Sequence, residues 1–138
     1  MQFAQICDRV EVDDSAHVPV DVSGLLGTWV NSNPETNGIA RMSMKEAGGR
    51  LVLEVRAIGP GGLISWGEAA VEVFTSSPSS RVAAGFACLY DFGFAETRLQ
   101  AMILKGLAVL AQFHRFKDAS GRADFFVREY FALEHGRY

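Results

Sequence analysis

The stretch Glu96-Thr97-Arg98-Leu99-Gln100-Ala101-Met102-Ile103-Leu104-Lys105-Gly106-Leu107-Ala108-Val109-Leu110-Ala111-Gln112-Phe113-His114-Arg115-Phe116 decides the fold. Its apolar residues fit two periods. Leu99, Met102, Ile103, Leu107, Leu110 and His114 fall at helical spacing, and the same residues also fill two β-strands joined at Lys105-Gly106. Gly106 separates the readings: inside a helix it costs about 1 kcal/mol relative to Ala, whereas a two-residue hairpin turn calls for a residue that accepts positive φ. The hairpin reading places Leu104 opposite Leu107. One face then carries Thr97, Leu99, Ala101 and Ile103 with Ala108, Leu110, Gln112 and His114, and Arg98, Gln100 and Met102 lie on the other. A helix here would break any barrel.

The pattern extends outward from this hairpin. Gly48-Gly49 is a second two-residue turn, pairing Ala47 with Arg50. It sets Ala40, Met42 and Met44 beside Leu51, Leu53, Val55 and Ala57, with Arg41, Lys45, Glu54 and Arg56 on the outer face. Runs of β-branched and aromatic residues between Gly, Pro, Asn, Asp and Ser clusters predict eight strands, near 25–31, 38–46, 50–58, 66–75, 81–92, 94–104, 107–116 and 123–133. The expected fold is an all-β, eight-stranded antiparallel up-and-down barrel, a size that leaves room for one small ligand. An offset of 57 residues lays Gly48-Gly49 on Lys105-Gly106, Trp29 on Phe86, Leu53 on Leu110, Glu72 on Glu129 and Phe74 on Phe131, suggesting two four-stranded half-repeats. Inward rows then hold Trp29 with Asn31, Phe86 with Cys88 and Tyr90, and Phe125 with Val127, Glu129 and Phe131. For the strand at 66–75 two facings stay open. Apolarity turns Gly67, Ala69, Val71 and Val73 inward; the repeat favours Trp66, Glu68, Ala70, Glu72 and Phe74. Residues 1–22 read as an acidic arm or pairing strand, and 23–138 as a single barrel domain.

Composition excludes several functions. A net charge of −3 with no block of like charge lacks the electrostatic footprint of a nucleic-acid or anionic-membrane binder. The longest apolar segment, 99–110, is interrupted by Gln100, Lys105 and Gly106 and falls well short of the roughly 20 residues a membrane helix needs. The N-terminus has neither the basic start nor the long apolar stretch of a signal peptide, so a cytoplasmic location is expected. Cys7 and Cys88 are too few for a disulfide scaffold, and His17, His114 and His135 show no ligand spacing, so neither metal nor cofactor is expected.

Asp21-Val22-Ser23-Gly24-Leu25-Leu26-Gly27-Thr28-Trp29-Val30-Asn31 resembles the opening of calycin barrels, the lipocalin and avidin superfamily. In lipocalins a short helical turn leads into Gly-x-Trp, and Gly27, Thr28, Trp29 and Asn31 match the avidin Gly-Thr-Trp-x-Asn. The resemblance implies a small molecule held inside the barrel, with Trp29 sealing one end and Arg128 as the arginine stacked on it. The later tryptophans of an avidin biotin site have no equivalent runs here. Small barrel cyclases of polyketide pathways are similar in size and look, without a shared motif.

The inward face is apolar with a few polar groups, the ratio of a small-molecule pocket. Trp29, Asn31, Met42, Leu53, Phe86, Cys88, Thr97, Leu99, Gln112 and Phe125 are the candidate ligand-lining residues, and Tyr90, His114 and Glu129 the candidate catalytic ones. Tyr90, Thr97 and His114 should meet at the barrel mouth opposite the Lys105-Gly106 turn. His114 with Glu129 has the makings of an acid–base pair, and Tyr90 of a carbonyl donor. Three functions follow: binding of a mostly apolar metabolite of polyketide, isoprenoid or fatty-acyl type; a cofactor-free cyclase or isomerase on the same barrel; or a filled barrel serving only as an interaction protein. Outward Val109, Ala111, Phe113, Ala83, Gly85, Ala87 and Leu89, anchored by Phe126 and Tyr130, point to a homo-oligomer, with a dimer first.

Overall fold

A computed structural model describes residues 19–134. Among the described residues nine strands form one antiparallel up-and-down sheet: β1 (Gly27–Asn31), β2 (Ile39–Ala47), β3 (Arg50–Gly59), β4 (Gly62–Ala70), β5 (Glu72–Thr75), β6 (Ala83–Asp91), β7 (Ala95–Leu104), β8 (Leu107–Phe116) and β9 (Phe125–Leu133). The spatial order is β4-β3-β2-β1-β9-β8-β7-β6-β5, and the sheet curls into a half-barrel. Residues 96–116 are therefore a hairpin and not a helix. Leu104 faces Leu107 across a turn in which Lys105 has φ 53° and Gly106 φ 80°. Gly48 and Gly49, at 59° and 80°, make the same kind of turn between Ala47 and Arg50. Two positive φ values match the right-handed twist of the strands, so both turns lock their registers.

The strand count differs from the expected eight at 66–75. There Glu54 faces Glu68 while Arg56 faces Ser65, so Trp66 and Gly67 share one partner position in a β-bulge, with Gly67 at φ 85°. One extra residue reverses the alternation. Ser65 and Gly67 flank a Trp66 that packs on the core, and beyond the bulge Ala69, Val71 and Val73 also turn to it, while Phe74 stays 53% exposed and Glu72 exposed. Each open facing thus holds on one side of Gly67. Only Val71 separates β4, which pairs with β3, from β5, which pairs with β6. The internal repeat survives up to this bulge: Trp29 and Phe86 are both buried, as are Leu53 and Leu110, but Phe131 is buried where Phe74 is not.

Two further bulges move expected residues. Between Ile39 and Arg41 the register slips, so Ile39 fills the core in place of Ala40. The slip between Phe74 and Thr75 turns Ala83 inward and removes it from the outer face, while Gly85, paired with Phe74 and Met102, keeps its outer register position. Trp29, Met42, Leu53, Phe86, Leu99, Leu110 and Phe131 interlock at one end of the half-barrel, each at most 2% exposed. Each such side chain contributes about 1.5–3 kcal/mol by leaving water. A 3-10 turn at Ser23–Leu25 precedes β1, and its Leu25 carbonyl accepts the Trp29 Nε1–H at 3.0 Å. Trp29 is capped by that turn, and Arg128, expected to stack on it, is exposed on β9. Of the expected arm, residues 1–18 lie outside the described residues; Asp21 bridges to Val82. Among the described residues no helix is long and apolar enough to cross a membrane.

Candidate functional site

Register brings four side chains into one row across four strands. Tyr90 on β6 faces Thr97 on β7, Thr97 faces His114 on β8, and His114 faces Phe125 on β9. The row lies at the end of the sheet away from the Lys105-Gly106 turn, where the β6–β7 and β8–β9 loops emerge. Above it the inward face is open. Phe125 and Val127 have inward register positions yet remain 49% and 37% exposed. Two adjoining hollows share Trp66, His114 and Phe125. One, of about 630 Å³, runs toward Thr36, Gln112 and Glu129; the other, of about 700 Å³, is walled by Phe92, Phe94 and Phe116.

The aromatic wall is ordered by its own contacts. Trp66 meets Tyr90 and Phe92 edge to face, with centroids 5.4 and 5.1 Å apart. His114 stacks on Phe125 at 4.5 Å. In the β8–β9 loop the Arg122 guanidinium lies 4.2 Å from the Phe116 centroid and 5.6 Å from that of Phe94, a cation–π placement held by bonds to Asp118 and Ser120. The rim is tied by the Lys117 N–H to the Phe94 carbonyl and by Lys117 Nζ to Asp91.

The polar groups divide between structure and site. Thr97 Oγ1 lies 2.9 Å from His114 Nδ1, and Thr97 is itself buried. Burial disfavours the imidazolium, so the His114 pKa lies below the ordinary histidine value. Glu129 accepts from Gln112 Nε2 and from Thr36 Oγ1, each at 2.9 Å, and Thr36 in turn accepts the Gly38 N–H. His114 and Glu129 thus line the same hollow without bonding each other. Tyr90 directs its hydroxyl at the carbonyls of Leu53 and Gly67, 2.9 and 2.8 Å away on β3 and β4, and burial pushes its phenol well above the usual range. Asn31 is likewise occupied, donating to the Ile39 carbonyl and accepting from the Asn33 N–H. Burial pushes the Cys88 thiol up to about 12; Cys88 and Tyr90 border a separate hollow of about 610 Å³ between β4 and β6.

Of the expected lining residues, Thr97, Gln112 and Phe125 border the two mouth hollows, as do His114 and Glu129. Trp29, Met42, Leu53, Phe86 and Leu99 border neither and pack in the filled end. The sequence reading missed Thr36, Phe92, Phe94, Phe116 and Arg122, and left Trp66 undecided. Its available signal was Phe92-Gly93-Phe94: two aromatics in a turn, where alternation gives them no core to enter. Cys7, His17 and His135 lie outside the described residues, and among those described no three His, Cys, Asp or Glu cluster as for a metal ion. No protein family, curated protein or solved structure matches the chain.

Proposed function

We propose that the chain binds a small, flat, mostly apolar molecule at the mouth of the half-barrel, between Trp66 and Phe125. The observation that carries this reading is an inward-facing aromatic surface left wet: Phe125 is half exposed above a core whose side chains are sealed. Apolar walls with a few convergent polar groups are the usual makeup of a ligand pocket. On this reading the aromatic side takes the ligand's body, while His114 and the Thr36, Gln112, Glu129 network meet its polar edge. Polyketide, isoprenoid and fatty-acyl compounds share that chemistry; the ring-lined wall favours the flat members. We also read β4 and β5 as one stave of a closed, eight-staved, calycin-like barrel, supported by the single residue between them and by the Tyr90 hydroxyl reaching the Leu53 and Gly67 carbonyls.

Equilibrium dialysis with 1-naphthol tests the binding reading. Saturable uptake by the native chain, lost in Phe125→Glu, is expected. Uptake that is absent, or unaffected by that substitution, would refute it. A symmetric dimer through the outer face of β7, β8 and β9 is the second proposal, supported by Met102, Leu104, Phe113, Phe126 and Tyr130, each over 40% exposed, with Phe113 and Phe126 stacked at 5.9 Å.

A further inference from the structure

His114 has one ring nitrogen engaged and the other facing the hollows. Nδ1 is turned to the buried Thr97 hydroxyl at 2.9 Å, and the ring is clamped against Phe125. Nε2 has no hydrogen-bond partner among the described residues, and the ring borders both mouth hollows. A hydroxyl is a fitting partner for such a ring, since it can accept from Nδ1–H both when the imidazole is neutral and after it has taken a proton. In the tautomer that donates its Nδ1 proton to the Thr97 hydroxyl, the Nε2 lone pair is directed at the hollows.

From this arrangement we infer that His114 is a general base, with Thr97 its positioning residue, for moving a proton on a flat conjugated carbon acid held between Trp66 and Phe125. The inference rests on the binding reading above and adds a reaction to it. Nε2 removes a proton from the carbon next to a carbonyl; the C–H pair enters the conjugated system as an enolate; the imidazolium returns the proton at the far end of that system. Nothing is oxidised or reduced, and the product is an isomer. Arg122, the cation on the Phe116 side of the same hollow, is placed to offset the enolate charge. The charged groups around the imidazole are Arg122 from the β8–β9 loop and Glu129 and Arg128 from β9; β4, β6 and β7 present Trp66, Tyr90 and Thr97. A burial-lowered pKa keeps the base unprotonated at neutral pH.

The test is the ring opening of 5-nitrobenzisoxazole, a flat probe that needs no natural substrate. A base takes its C3 proton, the C–H pair completes a nitrile, and the N–O bond breaks to release a coloured phenolate. The expected result is turnover about 10²-fold or more faster than with an equal concentration of free imidazole, the scale of positioned acid–base catalysis. Its pH midpoint should coincide with the His114 titration followed by proton NMR in the unmutated protein. His114→Gln should lose the gain, Thr97→Val should lower it and shift the pH midpoint, and Thr97→Ser should restore both. If the probe binds saturably but turns over no faster than with imidazole, or equally well in His114→Gln, the base is overturned and the binding reading stands. If the probe does not bind, both fall together.

Discussion

Tyr90 is the residue for which a catalytic and a structural role give opposite results on one substitution. Its hydroxyl is the side-chain link from β6 to β3 and β4, aimed at the Leu53 and Gly67 carbonyls, and the ring is buried against Trp66. Tyr90→Phe keeps the ring and deletes only the oxygen. The single hydroxyl proton serves two carbonyls, so the loss is that of one buried hydrogen bond plus the partial desolvation of a second acceptor. A hydrogen bond contributes about 1 kcal/mol net, and leaving a buried acceptor unpaired costs about 1–3 kcal/mol; the sum places the effect at about 2–4 kcal/mol. For a chain of this size a melting temperature shifts by about 4 °C per kcal/mol, giving a drop of roughly 8–16 °C. Thermal unfolding followed by circular dichroism measures the drop, and amide exchange should locate it, with faster exchange along β6 and around Gly67. Binding of 1-naphthol should be nearly unchanged, because the hydroxyl points away from the mouth. An unchanged melting temperature combined with lost binding would refute the structural assignment and return Tyr90 to the ligand.

Three other outcomes follow from the same geometry. Gly85→Ala should cost about 1–3 kcal/mol in urea unfolding, since a Cβ at Gly85 would press on the Ala101 carbonyl of β7 and the two backbones must part; a neutral result would show that the β6–β7 spacing is looser than described. His114 has a folded-state pKa below its unfolded value, so its contribution is fully present above the unfolded value near 6.5 and is lost as pH falls through the folded one. Urea midpoints should fall over that window and the slope should flatten in His114→Gln; equal slopes would contradict the burial argument. Phe113→Glu should convert a dimer to a monomer in light scattering, and an unchanged mass would remove this face from consideration.

How much of this was legible follows from where the sequence carries register information. Lys105-Gly106 and Gly48-Gly49 demand positive φ, and from each of them pairing could be counted residue by residue; the count from Lys105-Gly106 set Thr97 opposite His114, and Tyr90, placed by its position near the end of its strand, faces Thr97 in turn. Counting fails at a bulge, which inserts one residue without a marker in the apolar pattern. Ala40 was placed inward for that reason, and 66–75 stayed ambiguous because its two halves obey opposite parities around Gly67. Alternation also tells which side a residue faces without telling whether the space there is filled. Leu53 and Leu99 face inward as expected, but they meet other side chains, whereas Phe125 on the same side meets solvent. The aromatic wall was hidden for a different cause: Phe92 and Phe94 were counted as the ends of two strands, whereas β6 stops at Asp91 and β7 starts at Ala95, so both rings sit around the turn between them.

Two indole N–H signals in a proton–nitrogen correlation spectrum offer the most direct test of the site's position, because the two tryptophans report on opposite ends of the half-barrel. Trp66 lines the mouth, while Trp29 is sealed and bonded to the Leu25 carbonyl. Titration with 1-naphthol should move the Trp66 indole signal saturably and leave that of Trp29 in place. Movement of Trp29 alone, or of neither, would contradict a ligand site between Trp66 and Phe125.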